Sequence, residues 1–327
     1  MAQRFLVHFW GVRGSYPTPG PDTLRHGGNT SCVEVQAGGH TLVFDAGSGI
    51  IRLGNELLRR SGKGAGISPE IESEIESEIE SMNGSLDISL FITHAHGDHL
   101  VGFPFFAPLF DAHTHIHLFG PSLAGRSIEQ IVTPVMAPPY FPVDVRKLPS
   151  QRTFHTVTDD LCVTWDAKGG EPEVNSLQGG RQNAGEVRVL AKFTRSHPLD
   201  GAVIYRVEYA GRSVVYATDV EWRDGCEPEF LAFVEGADLL IHDAQYTTAD
   251  YELNKHGYGH STIDMAVAAA RDAHVGELIL FHHEPTYNDN QLDYMEAEAR
   301  ALFAHTRSAC EGMEIDLLAQ GLHEDKE

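Results

Sequence analysis

The chain is poor in cysteine. Its four residues (Cys32, Cys162, Cys226 and Cys310) are widely spaced and form no CxxC pair. That excludes a disulfide scaffold and a thiolate zinc cluster, and fits reduced thiols in a reducing compartment. Long hydrophobic runs are also missing: no stretch approaches the roughly 20 apolar residues that a membrane span needs. No extended apolar segment follows Met1 as a secretory signal would require, so a cytoplasmic location is expected. Basic residues are scarce, with 24 Lys and Arg against 47 Asp and Glu, a formal net charge of -23. Such a field repels the backbone of a long nucleic acid. A small anion is not excluded, because a bound metal would supply positive charge locally.

What the chain does have is histidine in one place. Thr93-His94-Ala95-His96-Gly97-Asp98-His99 packs three imidazoles and a carboxylate into six residues, directly after an apolar run over 86–92. A buried strand ending in this loop is expected. Nitrogen and oxygen donors of this kind suit borderline divalent ions such as zinc. One ion cannot readily take all four donors from so tight a turn, so the spacing points to two ions side by side.

The 327 residues, 42% of them apolar, suffice for one large domain. Strand patterns run over 5–10, 31–36 and 40–44, with Gly38-Gly39 as a hairpin turn. Asp45 follows the third, placed either to support a ligand histidine or to cap the helix expected over 50–60. Residues 70–81 repeat Glu-Ile-Glu-Ser three times, which puts like charges at i, i+4. An acidic, low-complexity insertion without chemistry is expected at about 68–83. The apolar stretch 102–106 either walls the pocket or packs in the core. His113, His115 and His117 alternate along another strand and share a face. A wet polar face is the preferred reading, a further metal site the alternative. Buried strand patterns over 212–217, 237–241 and 277–281 end in Thr218-Asp219, His242-Asp243 and His282-His283. Helices are expected over 263–274, with Ser261 as N-cap, and over 290–305. Candidate ligands therefore recur at strand ends, where layered folds assemble sites.

These residues resemble the metallo-β-lactamase fold, and within it the phosphodiesterase branch that includes ribonuclease Z and cyclic-phosphate phosphodiesterases. The HxHxDH motif at 94–99 is highly specific for that superfamily, and the likeness extends from the first strand to His282. It implies an α/β architecture, an αββα sandwich of two mixed β-sheets flanked by helices, formed by 1–327 as a single domain. Residue by residue, it implies one metal on His94, His96 and His197, a second on Asp98, His99 and His282, and Asp219 bridging both. His282 is preferred to His283 because it directly follows the strand. His242-Asp243-Ala244-Gln245 resembles the HEAT loop of ribonuclease Z, with Asp243 for glutamate and Gln245 for threonine. His260-Ser261-Thr262 matches that family's HST loop.

The implied cofactors are two divalent ions, zinc first, with manganese or iron as alternatives. The implied roles are Asp98 holding or deprotonating a water nucleophile, His260 as phosphate contact or proton donor, Asp243 orienting it, and Ser261 and Thr262 on the substrate. The family's basic substrate loop is only echoed, by Pro17, Arg25 and Asn29, and its lysine is missing. No long glycine-proline arm of the kind that grips transfer RNA is present. The expected activity is hydrolysis of a small phosphodiester, such as a cyclic nucleotide, by metal-activated water. The alternatives are an RNA-processing nuclease, a thioester or lactone hydrolase, and a metal-binding sensor without turnover. The sequence leaves the oligomeric state open, a homodimer included. His242, His256 and His283 are expected to be structural.

Overall fold

The computed structural model describes residues 4–62, 85–166, 170–176 and 185–319. The acidic insertion expected at about 68–83 lies outside the described residues.

Strands β1 (Phe5–Gly11), β2 (Cys32–Ala37), β3 (His40–Phe44), β4 (Leu86–Phe91), β5 (Thr114–Pro121) and β6 (Gln151–Val157) lie side by side in chain order. The first three are antiparallel, with Gly38 and Gly39 (φ +57° and +88°) turning β2 into β3. Two successive positive φ values are what a two-residue hairpin requires, and glycine meets them at little cost. From β3 to β6 the pairing is parallel.

A second mixed sheet holds β7 (Leu161–Trp165), β8 (Glu173–Ser176), β9 (Val187–Thr194), β10 (Ala202–Tyr209), β11 (Arg212–Ala217), β12 (Leu239–Asp243), β13 (Glu277–Phe281) and β14 (Thr306–Ser308). Their spatial order is β14-β13-β12-β11-β10-β9-β7-β8, and β15 (Glu314–Asp316) returns to the first sheet beside β1.

The sheets face each other across an aromatic core. Phe44, Phe91 and Phe119 occupy paired positions on β3, β4 and β5, and their rings stack at 5.2 and 4.6 Å between centroids. Burial of each contributes roughly 1.5–3 kcal/mol. Helix Ile50–Arg60 covers the outer face of the first sheet through Ile50, Leu53 and Leu57, which recur at helical spacing. Helices Ile263–Asp272 and Asp289–Leu302 cover the outer face of the second. The layers are helix, sheet, sheet, helix, as the resemblance implied. Phe103 and Phe106 pack under helix Ile50–Arg60, so most of the 102–106 stretch is core.

Two local expectations change. The N-cap of Ile263–Asp272 is Thr262, whose hydroxyl accepts from the Met265 amide, so Ser261 is not the cap. The 113–117 face is only partly the wet one expected: His113 is exposed before the strand and His115 half-buried, whereas His117, 4% exposed, points inward with Phe119 toward the second sheet.

Candidate metal centre

The parallel strands deliver the polar residues to one pole. β3 ends before Asp45, β4 before the 94–99 cluster, β9 before His197, β11 before Asp219, and β13 before His282, while β12 closes on Asp243. Parallel neighbours end on the same side, so residues far apart in sequence meet there. Asp45, Asp219 and His282 take left-handed backbone conformations (φ +62°, +56° and +61°). Side chains other than glycine disfavour that region by roughly 1–2 kcal/mol each. Three such residues at three strand ends mark where packing elsewhere holds the chain against its local preference.

Two groups of donor atoms there match the ligand sets that the resemblance implied, and a third, Asp219, Asp243, His260 and His282, overlaps them. His94, His96, His197 and Asp219 make one, and Asp98, His99, Asp219 and His282 the other; within each, the donor atoms lie within 4.8 Å of one another. Asp219 belongs to both. Its Oδ2 is 3.4 Å from His94 Nε2, and its Oδ1 is 3.2 Å from His99 Nε2 and 3.3 Å from His282 Nε2. His282 Nε2 lies 3.1 Å from Asp98 Oδ2, and His96 Nδ1 lies 3.0 Å from His197 Nε2.

Three of the five rings are fixed from outside. His99 Nδ1–H donates to Asp45 Oδ2 at 2.8 Å, His197 Nδ1–H to the Gly259 carbonyl at 2.9 Å, and His282 Nδ1–H to Gln245 Oε1 at 3.1 Å. Spending Nδ1 outward turns the Nε2 lone pair inward, as a metal ligand requires. Asp45 is itself held by the Thr93 amide and hydroxyl and by the Tyr216 hydroxyl, and is fully buried. The Ser15 amide donates to Asp98 Oδ2 at 2.7 Å. Of these supporting residues only Asp45 was legible in the sequence. Thr93 and Gln245 stand in the histidine cluster and the HEAT-like loop with no supporting role implied for them, and Ser15 and Tyr216 carry no motif that would have singled them out.

The donors fit divalent ions on one decisive observation. The buried Nε2 atoms of His94 and His99, one in each group, make no well-directed hydrogen bond and face the shared Asp219 carboxylate, 3.4 and 3.2 Å away. Buried polar atoms left unpaired are costly, so a site that keeps two of them aimed at its centre calls for a cation. The charges agree. Burial, reinforced by neighbouring His99, pushes His94 well below its ordinary value, and burial lowers His96 and His197 as well. These three are therefore neutral, the form in which imidazole binds metal. Burial would also lower His99, but Asp219, Asp98 and Asp45 outweigh it and pull the ring well above its usual value. That side of the cluster favours any cation.

Next to the second group stands His260, its ring stacked on His282 at 4.9 Å between centroids. His260 Nδ1–H donates to Asp243 Oδ2 at 2.7 Å. Burial works against its charge, yet the adjacent Asp243 carboxylate raises it to about 9. Asp243 is anchored by the amides of Gln245 and Ser261. The hydroxyl of Ser261 donates to the Val220 carbonyl and that of Thr262 caps its helix, so both side chains are engaged within the protein.

Glu221 holds the loop before His260, accepting from the amides of Gly257 and Gly259 at 2.8 and 2.9 Å, and no motif marks it for that role. His242 is buried between the Trp222 indole and the Asp243 carbonyl, and His283 bonds the Ala309 carbonyl, so both are structural as expected. His256 lies by Glu252 on the surface. Arg25 pairs with Asp293 and Asn290 on the surface, and Asn29 with Glu311 and Ser48, so both are engaged by the chain's own groups.

Residues 86–283 match a family model described as "Beta-lactamase superfamily domain". The chain belongs to that superfamily. It is a metal-dependent hydrolase with the metallo-β-lactamase fold. Ribonuclease Z of Thermoplasma acidophilum is 25% identical over 339 residues, covering 97% of this chain and 98% of the relative. Ribonuclease Z of Synechococcus sp. strain CC9311 is 28% identical over 259 residues, covering 70% and 81%. Among solved structures, the short form of human tRNase Z superposes with a TM-score of 0.58 at 21% identity over 95% of this chain and 98% of that one. A diphosphatase from the PhnP family superposes with a TM-score of 0.59 at 17% identity over 95% and 97%. No helix of the superfamily member, among the described residues, is long and apolar enough to cross a membrane.

Proposed function

We propose that the protein is a dinuclear-metal phosphodiesterase acting on a small phosphodiester. In this reading His94, His96 and His197 hold one ion, Asp98, His99 and His282 the other, and Asp219 bridges them, with zinc the first candidate for both. Bound ions would acidify a water and neutralise phosphoryl charge.

The chain's own residues supply the rest. Asp98, 8% exposed and steadied by the Ser15 amide, holds or deprotonates the nucleophile. Phosphodiester cleavage leaves an alkoxide that needs a proton. The observation that carries the reading is His260, charged by Asp243 and stacked against His282 at the edge of the cluster. A protonated imidazole there serves first to contact a phosphoryl oxygen and then to donate to the leaving group. Asp243 keeps Nδ1 protonated and directs Nε2 to the substrate side.

The small substrate is supported by charge: at a net -23, with Arg25 and Asn29 engaged by the chain's own groups, little basic surface is left for a polynucleotide. An RNA-processing reading is favoured by one observation, that the curated relatives above are named ribonuclease Z. The test is a parallel assay of metal-loaded protein on bis-p-nitrophenyl phosphate, cyclic nucleotides, a thioester and a precursor tRNA. Turnover of the small phosphodiesters well above the tRNA supports the proposal. Efficient tRNA cleavage replaces it with the nuclease reading, and thioester turnover alone refutes phosphodiester chemistry.

A further inference from the structure

At the opposite pole the layer between the sheets is polar. Asp87 pairs with His115 across β4 and β5, six residues before Thr93, so this pole lies roughly 20 Å along the strand from the cluster at 94–99. His115 and His117 project from the same face of β5, with ring centroids 4.1 Å apart. The Glu171 carboxylate, arriving from the segment that leads into β8 of the other sheet, meets both. Its Oε1 is 3.3 Å from His115 Nδ1 and its Oε2 is 2.8 Å from His117 Nε2.

The remaining ring nitrogens are engaged by β6. His115 Nε2 lies 2.9 Å from Thr153 Oγ1, and His117 Nδ1 lies 3.2 Å from His155 Nε2. Each imidazole thus spends one nitrogen on the sheet and turns the other to a shared carboxylate, the arrangement that His99 and His282 show at the first pole. We propose that His115, His117 and Glu171 form a separate divalent-cation site, of the zinc, cobalt and nickel class, that ties the two sheets together at this pole.

As neutral rings, His115 and His117 each donate one N–H to Glu171; a divalent ion in place of those two protons is held by both nitrogens and the carboxylate together, without the like charges that two protonated rings 4.1 Å apart would carry. A plain Glu–His ion pair with a carboxylate as exposed as Glu171 (70%) contributes little to stability. A second observation points the same way. A cavity of about 200 Å³ opens beside the group, lined by His40, Asp87, His117 and Glu171 among others. The buried Nε2 of His40 has no hydrogen-bond partner. The cavity has room for the waters that complete a three-donor site, and His40 gives them an acceptor or donor. Two nitrogens and one oxygen select zinc-like ions over magnesium.

The inference does not depend on the dinuclear reading, because none of its residues belongs to the strand-end cluster. The test uses the full chain, metal-loaded, in wild-type and Glu171→Gln forms. Both are dialysed to equilibrium against a zinc series and analysed for metal, with bis-p-nitrophenyl phosphate hydrolysis measured alongside. The wild type should hold one zinc per chain more than Glu171→Gln, with equal hydrolysis. His155→Gln should weaken that extra ion by about 10-fold, since it removes the partner that orients His117. Failure at the strand-end cluster lowers both forms alike and leaves the difference of one. Equal metal content in wild type and Glu171→Gln across the series overturns the proposal.

Discussion

Asp45 and His99, 54 residues apart, share a 2.8 Å hydrogen bond in which a fully buried carboxylate holds Nδ1 and aims Nε2 at the centre of the site. Asp45→Asn keeps the shape and removes the charge. Partners of this kind are worth about 10–100-fold in metal affinity. The variant should release metal to a chelator at a correspondingly lower concentration, read by elemental analysis after dialysis. Unchanged affinity would mean that Asp45 serves only to hold the Thr93 turn.

Asp219 faces both donor groups, while His197 faces one. Asp219→Ala should therefore fall well below one metal per chain after reconstitution, whereas His197→Ala should keep close to one. Equal losses in the two variants would remove the case for a bridging carboxylate.

His260 lies outside both proposed ligand sets. His260→Ala should retain metal and lose about 10²–10⁴-fold in rate, the usual range for a general acid. The loss should be greatest for a phosphodiester with an alkoxide leaving group and small for p-nitrophenolate, which departs unprotonated. Asp243→Asn should give a weaker form of the same pattern. Equal losses on both substrates would assign His260 to phosphate binding alone.

Gly259 has φ +89°, and a Cβ built on it would lie 2.3 Å from His197 Nδ1 and 2.1 Å from Pro198 Cδ. Gly259→Ala must push His197 away from its carbonyl partner. Overpacking of this sort costs about 1–3 kcal/mol. We expect a lowered Tm together with weaker metal retention. A variant that binds metal normally would show that His197 is held by other contacts.

His8 makes stability depend on pH away from the site. Burial lowers its pKa, and Glu34 and Glu314 only partly restore it. The folded chain then binds fewer protons than the unfolded chain just below the ordinary value of about 6.5. The corresponding stability is complete above that value and is lost as pH falls through the lowered folded value. His8→Gln should lose less stability than wild type between about pH 7 and pH 5, measured by urea denaturation. An identical slope in the two proteins would show that His8 does not contribute.

Much of this molecule can be read along the chain, because its signals are local. The strand over 40–44, the helix over 50–60 and the strands over 212–217 and 277–281 match the structure residue for residue, since alternation and helical spacing are properties of neighbours. The 94–99 cluster is equally local. Other elements left no such trace. Helix Ile128–Val135 carries an internal proline, and helices Pro228–Val234 and Thr248–Asn254 are only two turns long. Tertiary structure alone decided which ring nitrogens face inward, that Glu221 braces the His260 loop, and that His117 looks into the sandwich. Each depends on a partner from another strand, such as Asp45 for His99 or Glu171 for His117, and sequence periodicity does not record which residues long-range packing will bring together.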